Sequence, residues 1–152
     1  MDELKSEFLF EMTVDVNSPL CMGATQQGER RFVVVTGGRF EGPKLKGEVL
    51  PGGADSIFMT PDGIAQLDVR LVLKTDDGAL IYLQYLGRRH GPADVMARLA
   101  AGEAVDPSSY YFRTVLTFET GDARYAWLNG IVAVAKGSRP PAGPIYKVFQ
   151  IL

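Results

Sequence analysis

A two-residue alternation of apolar and polar side chains runs through most of this chain and constrains its fold more than any other feature. It is clearest between Gln66 and Lys74, where every second residue is leucine or valine and the residues between them are mostly polar. Successive side chains of a β-strand point to opposite faces, so this pattern predicts strands that bury one face each. The same alternation predicts strands at residues 8–16, 31–36, 44–50, 56–60, 66–74, 79–86, 110–119, 124–135 and 145–152.

One helix interrupts the strands. Residues 92–101 begin with a proline suited to a first helical turn, carry an early acid at Asp94, and are followed by the terminator Gly102. A chain of 152 residues is about the length of one domain. We therefore predict a single all-β domain over residues 1–152, an antiparallel barrel of about eight to ten strands. The helix is expected to plug or flank one end, and closure would remove exposed strand edges.

Composition narrows the functional classes. The net charge of -2 gives no basic field, so no nucleic-acid partner is expected. No apolar run approaches the ~20 residues that span a bilayer, and no signal peptide is visible, so we expect a cytoplasmic protein without a membrane partner. Cys21 and His90 are the only cysteine and the only histidine, which excludes multi-histidine and cysteine-cluster metal sites. We predict neither a metal nor an organic cofactor.

The segment from residue 37 to residue 55, GGRFEGPKLKGEVLPGGAD, is dense in glycine and proline. Such density indicates turns with positive φ or close approaches of the backbone. The charged residues Arg39, Glu41 and Asp55 are interleaved with these glycines. This arrangement is typical of the rim or floor of a binding cavity, so all three are candidate site residues.

Asp68 and Arg70 lie two residues apart on one strand and therefore share a face. If the aliphatic face of that strand lines the barrel, the pair is solvated and contributes under about 1 kcal/mol. If the helix or a partner subunit covers the aliphatic face, the pair lines a polar cavity. Both assignments remain open at this point.

Other strand faces carry further candidates. Arg113 shares a face with Tyr111, Trp127 shares one with Asn129, and Tyr82 offers a further phenol. A desolvated carboxylate can move protons near neutral pH, arginine can hold an oxyanion or carboxylate, and tyrosine and asparagine can donate to a developing oxyanion. The set suits proton transfer on a small carbonyl or aromatic compound, and it suits simple ligand binding equally well.

The segments at residues 37–55, 66–89, 110–120 and 125–137 resemble the lipocalin-like family known as domain of unknown function 3237. The most specific parts of the resemblance are the GxRFEGPxLxGxVLPGGAD run and the WLN triplet. The resemblance implies a calycin-like antiparallel barrel with a central cavity and a tendency to self-associate, but it implies no reaction. It also favours the cavity for the residues at the motif positions, which are Arg39, Glu41, Asp55, Asp68, Arg70, Arg113, Trp127 and Asn129.

These observations give two functions to test. The first is a cofactor-independent enzyme of the lyase or isomerase type, with Asp55, Asp68 and Arg70 as catalytic residues. Its substrate-binding residues would be Arg39, Glu41, Tyr82, Arg113, Trp127 and Asn129. The alternative is a non-catalytic, lipocalin-like ligand-binding protein. In both cases the expected partner is a small organic ligand, and the aliphatic strand faces allow a homodimer.

Overall fold

The computed structural model describes residues 2–152 and is built mainly of antiparallel strands. The strands are β1 (Ser6–Val16), β2 (Leu20–Ala24), β3 (Glu29–Glu41), β4 (Lys46–Val49), β5 (Ala54–Met59), β6 (Ala65–Thr75), β7 (Leu80–His90), β8 (Tyr111–Glu119), β9 (Ala133–Ser138) and β10 (Ile145–Ile151). The helices are α1 (Ala93–Ala100) and two 3₁₀ helices, Pro107–Ser109 and Ala123–Gly130.

The strands close into a barrel with eight positions. The ring runs β1-β10-β9-β8-β7-β6, continues through β4 and β5 to β3, and closes where β3 pairs with β1. β4 and β5 follow one another in the same position, each pairing with both β3 and β6. β2 pairs with β3 beyond the end of β1 and lies outside the ring. The predicted antiparallel barrel of eight to ten strands with one short α-helix is confirmed.

The aliphatic face of each long strand points into the barrel. Leu67, Val69, Leu71 and Leu73 of β6 are all at most 3% exposed. The facing residues of β7 continue this layer, since Leu71 pairs with Leu83 and is buried with it. Burial of this apolar surface is the main force that stabilises the barrel.

Two glycines of the 37–55 segment allow β3 to cross β1 closely. Gly38 has a φ of 142°, and a Cβ at this position would overlap the carbonyl oxygen of Thr13. A Cβ at Gly42 would overlap the carbonyl oxygen of Leu9 in the same way. The expected end of the strand at Gly37-Gly38 is therefore wrong: β3 continues through Gly37 and Gly38 to Glu41, and the missing side chain at Gly38 lets the two backbones pair.

Residues 124–135 do not form the predicted strand. Ala123–Gly130 is a 3₁₀ helix, and β9 begins only at Ala133. The carboxylate of Asp122 accepts a hydrogen bond from the backbone N–H of Arg124, at 2.9 Å, and so caps the first turn of the helix. Tyr125 and Leu128 turn towards the core and are buried. These two buried residues are three apart, as in a 3₁₀ helix, but the surrounding sequence also fits the two-residue alternation of a strand.

α1 follows β7 directly, within the predicted range, and Gly102 ends it with a φ of 79°. Val95 is its buried residue, and Met96 and Leu99 pack against the core. Among residues 2–152, no helix combines the length and the apolar character needed to cross a bilayer.

Candidate functional site

A cavity of about 100 Å³ lies inside the barrel at the end where β7 finishes and β8 begins. Apolar side chains from β1, β3, β5, β6 and β8 form most of its wall. Polar and charged side chains are added from the barrel wall and from the loops at the mouth. The lining residues are Val14, Val16, Asn17, Pro19, Arg31, Val33, Val35, Asp55, Ile57, Leu67, Val69, Tyr85, Arg89, Phe112, Arg139, Pro144 and Tyr146.

Asp55 is the carboxylate of this cavity. It lies two residues before the buried Ile57 on β5, so both side chains are on the inner face of the strand. Within the described chain, β5 pairs with β6 at Asp55↔Val69 and again from Phe58↔Gln66, with residues 56 and 57 skipped. Oδ1 of Asp55 accepts a hydrogen bond from the backbone N–H of Asp68 at 3.1 Å, beside this gap in the pairing. One carboxylate oxygen is thus held by the backbone of β6.

Burial raises the pKa of Asp55 from 3.8 to about 6, because the low-dielectric wall disfavours the charged carboxylate. The hydrogen bond from Asp68 and the positive charge of Arg89 act in the opposite direction but do not cancel the effect of burial. A carboxyl group with a pKa near 6 exchanges protons readily at neutral pH. This is the property expected of a general base.

Two tyrosines lie in the same cavity. The rings of Tyr85 and Tyr146 meet edge to face with centroids 5.1 Å apart, and each residue is 2% exposed. Burial raises the pKa of both phenols, with Tyr146 raising that of Tyr85 further and Asp55 raising that of Tyr146. Both hydroxyls therefore stay protonated at neutral pH, and a protonated phenol can donate a hydrogen bond to an oxyanion.

Three arginines complete the charged part of the lining. Arg31 is paired with Glu29, with its Nη2 2.7 Å from Oε1 of that residue. Arg89 lies over the ring of Phe112, with its Cζ 5.4 Å from the ring centroid. Arg139 donates from Nη1 to the carbonyl of Pro140 at 2.8 Å. Within residues 2–152, neither Arg89 nor Arg139 has a carboxylate oxygen within 4.0 Å, so their charges are free for another partner.

The arrangement has the parts of a proton-transfer site. Asp55 can accept a proton, Tyr85 and Tyr146 can donate to an oxygen that becomes negative, and the arginines can hold an anionic group. Among the described residues, no three His, Cys, Asp or Glu side chains come together as a metal site would require.

Asp68 and Arg70 do not line this cavity. Of the two assignments open to β6, the aliphatic face is the one that points inward, so both charged residues are on the outer face. Arg70 is exposed, whereas Asp68 is half-buried and its Oδ1 has no hydrogen-bond partner among residues 2–152. Asp68 reaches the cavity only through its backbone N–H. Its predicted catalytic placement is therefore incorrect.

Four other predicted residues also lie on the outside of the barrel. Arg39 is exposed and its Nη2 lies 3.7 Å from Oδ1 of Asp76. Glu41 is exposed at the end of β3, and Tyr82 is 39% exposed on β7. Arg113 pairs across β8 and β9 with Lys136 on the outer face. Each of these residues is next to a buried residue of its strand and therefore points to the outer face.

Trp127 and Asn129 lie at the opposite end of the barrel from the cavity. Their 3₁₀ helix is joined to the β6–β7 turn by a hydrogen bond of 2.8 Å from Tyr125 Oη to Asp77 Oδ2. Lys44 Nζ lies 5.3 Å from the centroid of the Trp127 ring. The Asn129 amide exchanges two hydrogen bonds with the backbone of Thr120, at 2.8 and 2.9 Å. Asn129 thus fixes a turn, and neither residue is near Asp55.

The tyrosines and arginines of the cavity were not among the residues predicted from the sequence. Tyr85 and Arg89 share the inner face of β7 with Ile81 and Leu83, and β7 continues to His90 where a strand ending at residue 86 was predicted. A polar residue on an otherwise aliphatic face was the available signal. Tyr146 gives the same signal, since it is a polar residue on the same buried face of β10 as Val148.

The family model described as "Protein of unknown function (DUF3237)" matches residues 4–151. A UPF0311 protein of Clostridium acetobutylicum is 37% identical over 150 residues, which is 98% of this chain and 95% of that protein. A UPF0311 protein of Rhodopseudomonas palustris is 34% identical over 149 residues, 98% of this chain and 97% of its own length.

Solved structures share the barrel along its whole length. A conserved protein of unknown function from Rhodopseudomonas palustris superposes with a TM-score of 0.97 at 34% identity, covering 100% of both chains. A beta-barrel like protein from Acinetobacter baumannii gives a TM-score of 0.87 at 42% identity, covering 100% of this chain and 98% of that chain. An enzyme from Penicillium herquei gives 0.75 at 22% identity over 100% of this chain and 97% of its own, a likeness of fold alone. The chain therefore belongs to the DUF3237 family of β-barrel proteins of unknown function.

Proposed function

We propose that this protein is a cofactor-independent enzyme of the lyase or isomerase type that acts on a small carbonyl or aromatic compound in the barrel cavity. The observation that carries the proposal is Asp55. It is a carboxyl group with a pKa of about 6, held by one oxygen on the inner face of β5, in the same cavity as two protonated phenols. Catalytic carboxyl groups are commonly tuned in this way by burial.

The proposed step is proton abstraction next to a carbonyl group. The Asp55 carboxylate takes the proton from carbon, the C–H electron pair forms a C=C bond, and the carbonyl π pair moves to oxygen. Tyr85 or Tyr146 donates a hydrogen bond to this oxygen as it becomes negative. The protonated Asp55 then returns the proton to the substrate, so no external oxidant or reductant is needed.

A non-catalytic binder of lipocalin type is the alternative. It is favoured by the closed eight-position barrel and by the predominantly apolar wall of the cavity, since barrels of this size can hold one small ligand. The two functions differ in what they require of Asp55. A binder needs its shape and hydrogen bond, whereas an enzyme needs its ionised form.

Hydrogen–deuterium exchange at carbon tests proton abstraction without knowledge of the natural substrate. The protein is incubated in D₂O with acetone, acetophenone, pyruvate or levulinate, and loss of the signal from hydrogens next to the carbonyl is followed by ¹H NMR. We expect at least one compound to exchange well above the buffer rate. Asp55→Asn should lower this rate by about 10²–10⁴-fold, the usual effect of removing a general base.

Asp68→Asn is the matched control. It changes an acid to an amide on the adjacent strand, but on the outer face, so exchange should remain within a few-fold of the wild-type rate. Saturable binding without exchange would favour the lipocalin-type alternative. Undiminished exchange in a folded Asp55→Asn protein would exclude Asp55 as the base.

A further inference from the structure

The charges in the cavity do not balance. Arg31 is neutralised by Glu29, but Arg89 and Arg139 have no ion-pair partner among the described residues, and Asp55 is the only carboxylate in the lining. With Asp55 ionised the lining keeps a net charge of about one positive unit, and with Asp55 protonated about two. A partly closed cavity concentrates such a charge, so it attracts anions.

The Arg89 guanidinium is the least satisfied group of the cavity. Its Nε is buried and has no hydrogen-bond partner in residues 2–152. The guanidinium lies over the face of Phe112, and its charge also acts on Asp55, with which it forms no salt bridge. A buried donor without an acceptor is unfavourable, and more so when it is charged. Native structures rarely leave a buried donor without an acceptor, so this group calls for a partner such as a water molecule or a bound anion.

The second arginine lies close enough to repel the first. Burial is the main reason that the pKa of Arg89 is lowered, and the charge of Arg139 lowers it further. Guanidinium groups remain protonated throughout the physiological range, so the repulsion persists. Arg139 uses Nη1 for the Pro140 carbonyl and is only half-buried in the loop after β9, at the mouth of the cavity. An anion between the two guanidiniums would relieve both the repulsion and the unsatisfied donor.

We propose that the ligand of this cavity is a small monocarboxylate whose anionic group is bound by Arg89 and Arg139. Guanidinium groups bind carboxylates through paired hydrogen bonds, and the apolar wall suits a compact hydrocarbon part. The cavity of about 100 Å³ is somewhat smaller than the ~150 Å³ void that holds benzene in another protein, so the apolar part of the ligand is at most a single ring or a short chain. Its carboxylate would lie towards the mouth, where Arg139 is only half-buried.

This inference rests on the proposed function for the site, since it names the class of compound that would reach Asp55. With the carboxylate held by the arginines, the rest of the molecule lies against Asp55, Tyr85 and Tyr146. The natural substrate would then carry both a carboxylate and the carbonyl or aromatic group on which proton transfer takes place.

Benzoate and its neutral analogue benzamide test the inference by binding alone. Benzoate has no hydrogen that Asp55 could exchange, so the experiment is independent of catalysis. Titration calorimetry and ¹H–¹⁵N NMR should show benzoate binding at least about tenfold more tightly than benzamide. Arg89→Gln and Arg139→Gln should each weaken benzoate binding by about tenfold or more, with little effect on benzamide.

Arg88→Gln is the matched control, because Arg88 is adjacent in sequence but exposed on the outer face of β7. It should leave benzoate affinity unchanged. Three results would overturn the inference: equal binding of benzoate and benzamide, no benzoate binding up to about 20 mM, or full affinity in both arginine variants. The two variants guard against one failing to fold. If benzoate binds as expected but Asp55→Asn retains proton exchange, the anion site stands and the proposed function fails.

Discussion

Asp55→Asn is expected to stabilise the protein at neutral pH, against the usual effect of a substitution in a barrel interior. Burial raises the pKa of Asp55 from 3.8 to about 6. An ionised Asp55 therefore destabilises the folded state by about 3 kcal/mol at pH 7.5, from 1.36 kcal/mol for each of roughly 2.2 pKa units. Asparagine is uncharged and its Oδ1 can still accept the hydrogen bond from the backbone of Asp68.

The sign of the pH dependence follows from the raised pKa. Between pH 3.8 and about 6 the folded state holds a proton that the unfolded state has lost, so stability falls as the pH rises through this window. The gain from Asp55→Asn should thus be largest above pH 7 and fall below about 1 kcal/mol at pH 4.

Urea unfolding at pH 4, 5.5 and 7.5, followed by circular dichroism, measures this difference directly. Asp15→Asn is a suitable control, because Asp15 is exposed on β1, and we expect it to change stability by less than ~0.5 kcal/mol. An Asp55→Asn protein that is less stable than wild type at pH 7.5, or a gain in stability that does not decline towards pH 4, would show that burial does not raise the pKa of Asp55 as described. Stabilisation combined with loss of proton exchange would identify a group kept for activity at the expense of stability.

Three further predictions can be checked with the same purified protein. The proton-exchange rate should rise as the pH passes through about 6, because the base must be ionised, and a flat profile from pH 5 to 7.5 would contradict Asp55 as the base. Gly38→Ala should destabilise the barrel by roughly 3 kcal/mol or prevent folding, since its Cβ would overlap the backbone of β1. Gly121→Ala, where no atom of the described chain lies within 4 Å of the added Cβ, should be close to neutral by thermal unfolding. We also expect a homodimer that buries the exposed apolar residues of β7 and β8, so Leu86→Lys should dissociate it in light scattering, and a wild-type monomer at high micromolar concentration would disprove it.

The alternating pattern was sufficient to predict the barrel, because each strand buries one face and closure leaves few free edges. The pattern failed where a short helix imitates it. In residues 123–130 the buried residues Tyr125 and Leu128 are three apart, and only the contact of this helix with the end of the barrel decides between helix and strand. β2 gave no signal, since all five of its residues are exposed and nothing selects an alternation.

Alternation in the sequence is enough to show that β6 has one aliphatic and one mostly polar face, and the sequence also places Asp55 after a glycine-rich turn. It did not determine which face of β6 is inside, because alternation defines two faces without naming the inner one. The tertiary structure decided this by closing the sheet on the aliphatic side, which moved Asp68 and Arg70 outside and left Asp55 within. It also brought Asp55, Tyr85, Arg89 and Tyr146 from β5, β7 and β10 into one cavity. Their proximity depends on closure of the barrel and on the register between strands that are far apart in sequence. Burial of the apolar faces dominates the folding free energy, and this burial fixes the register.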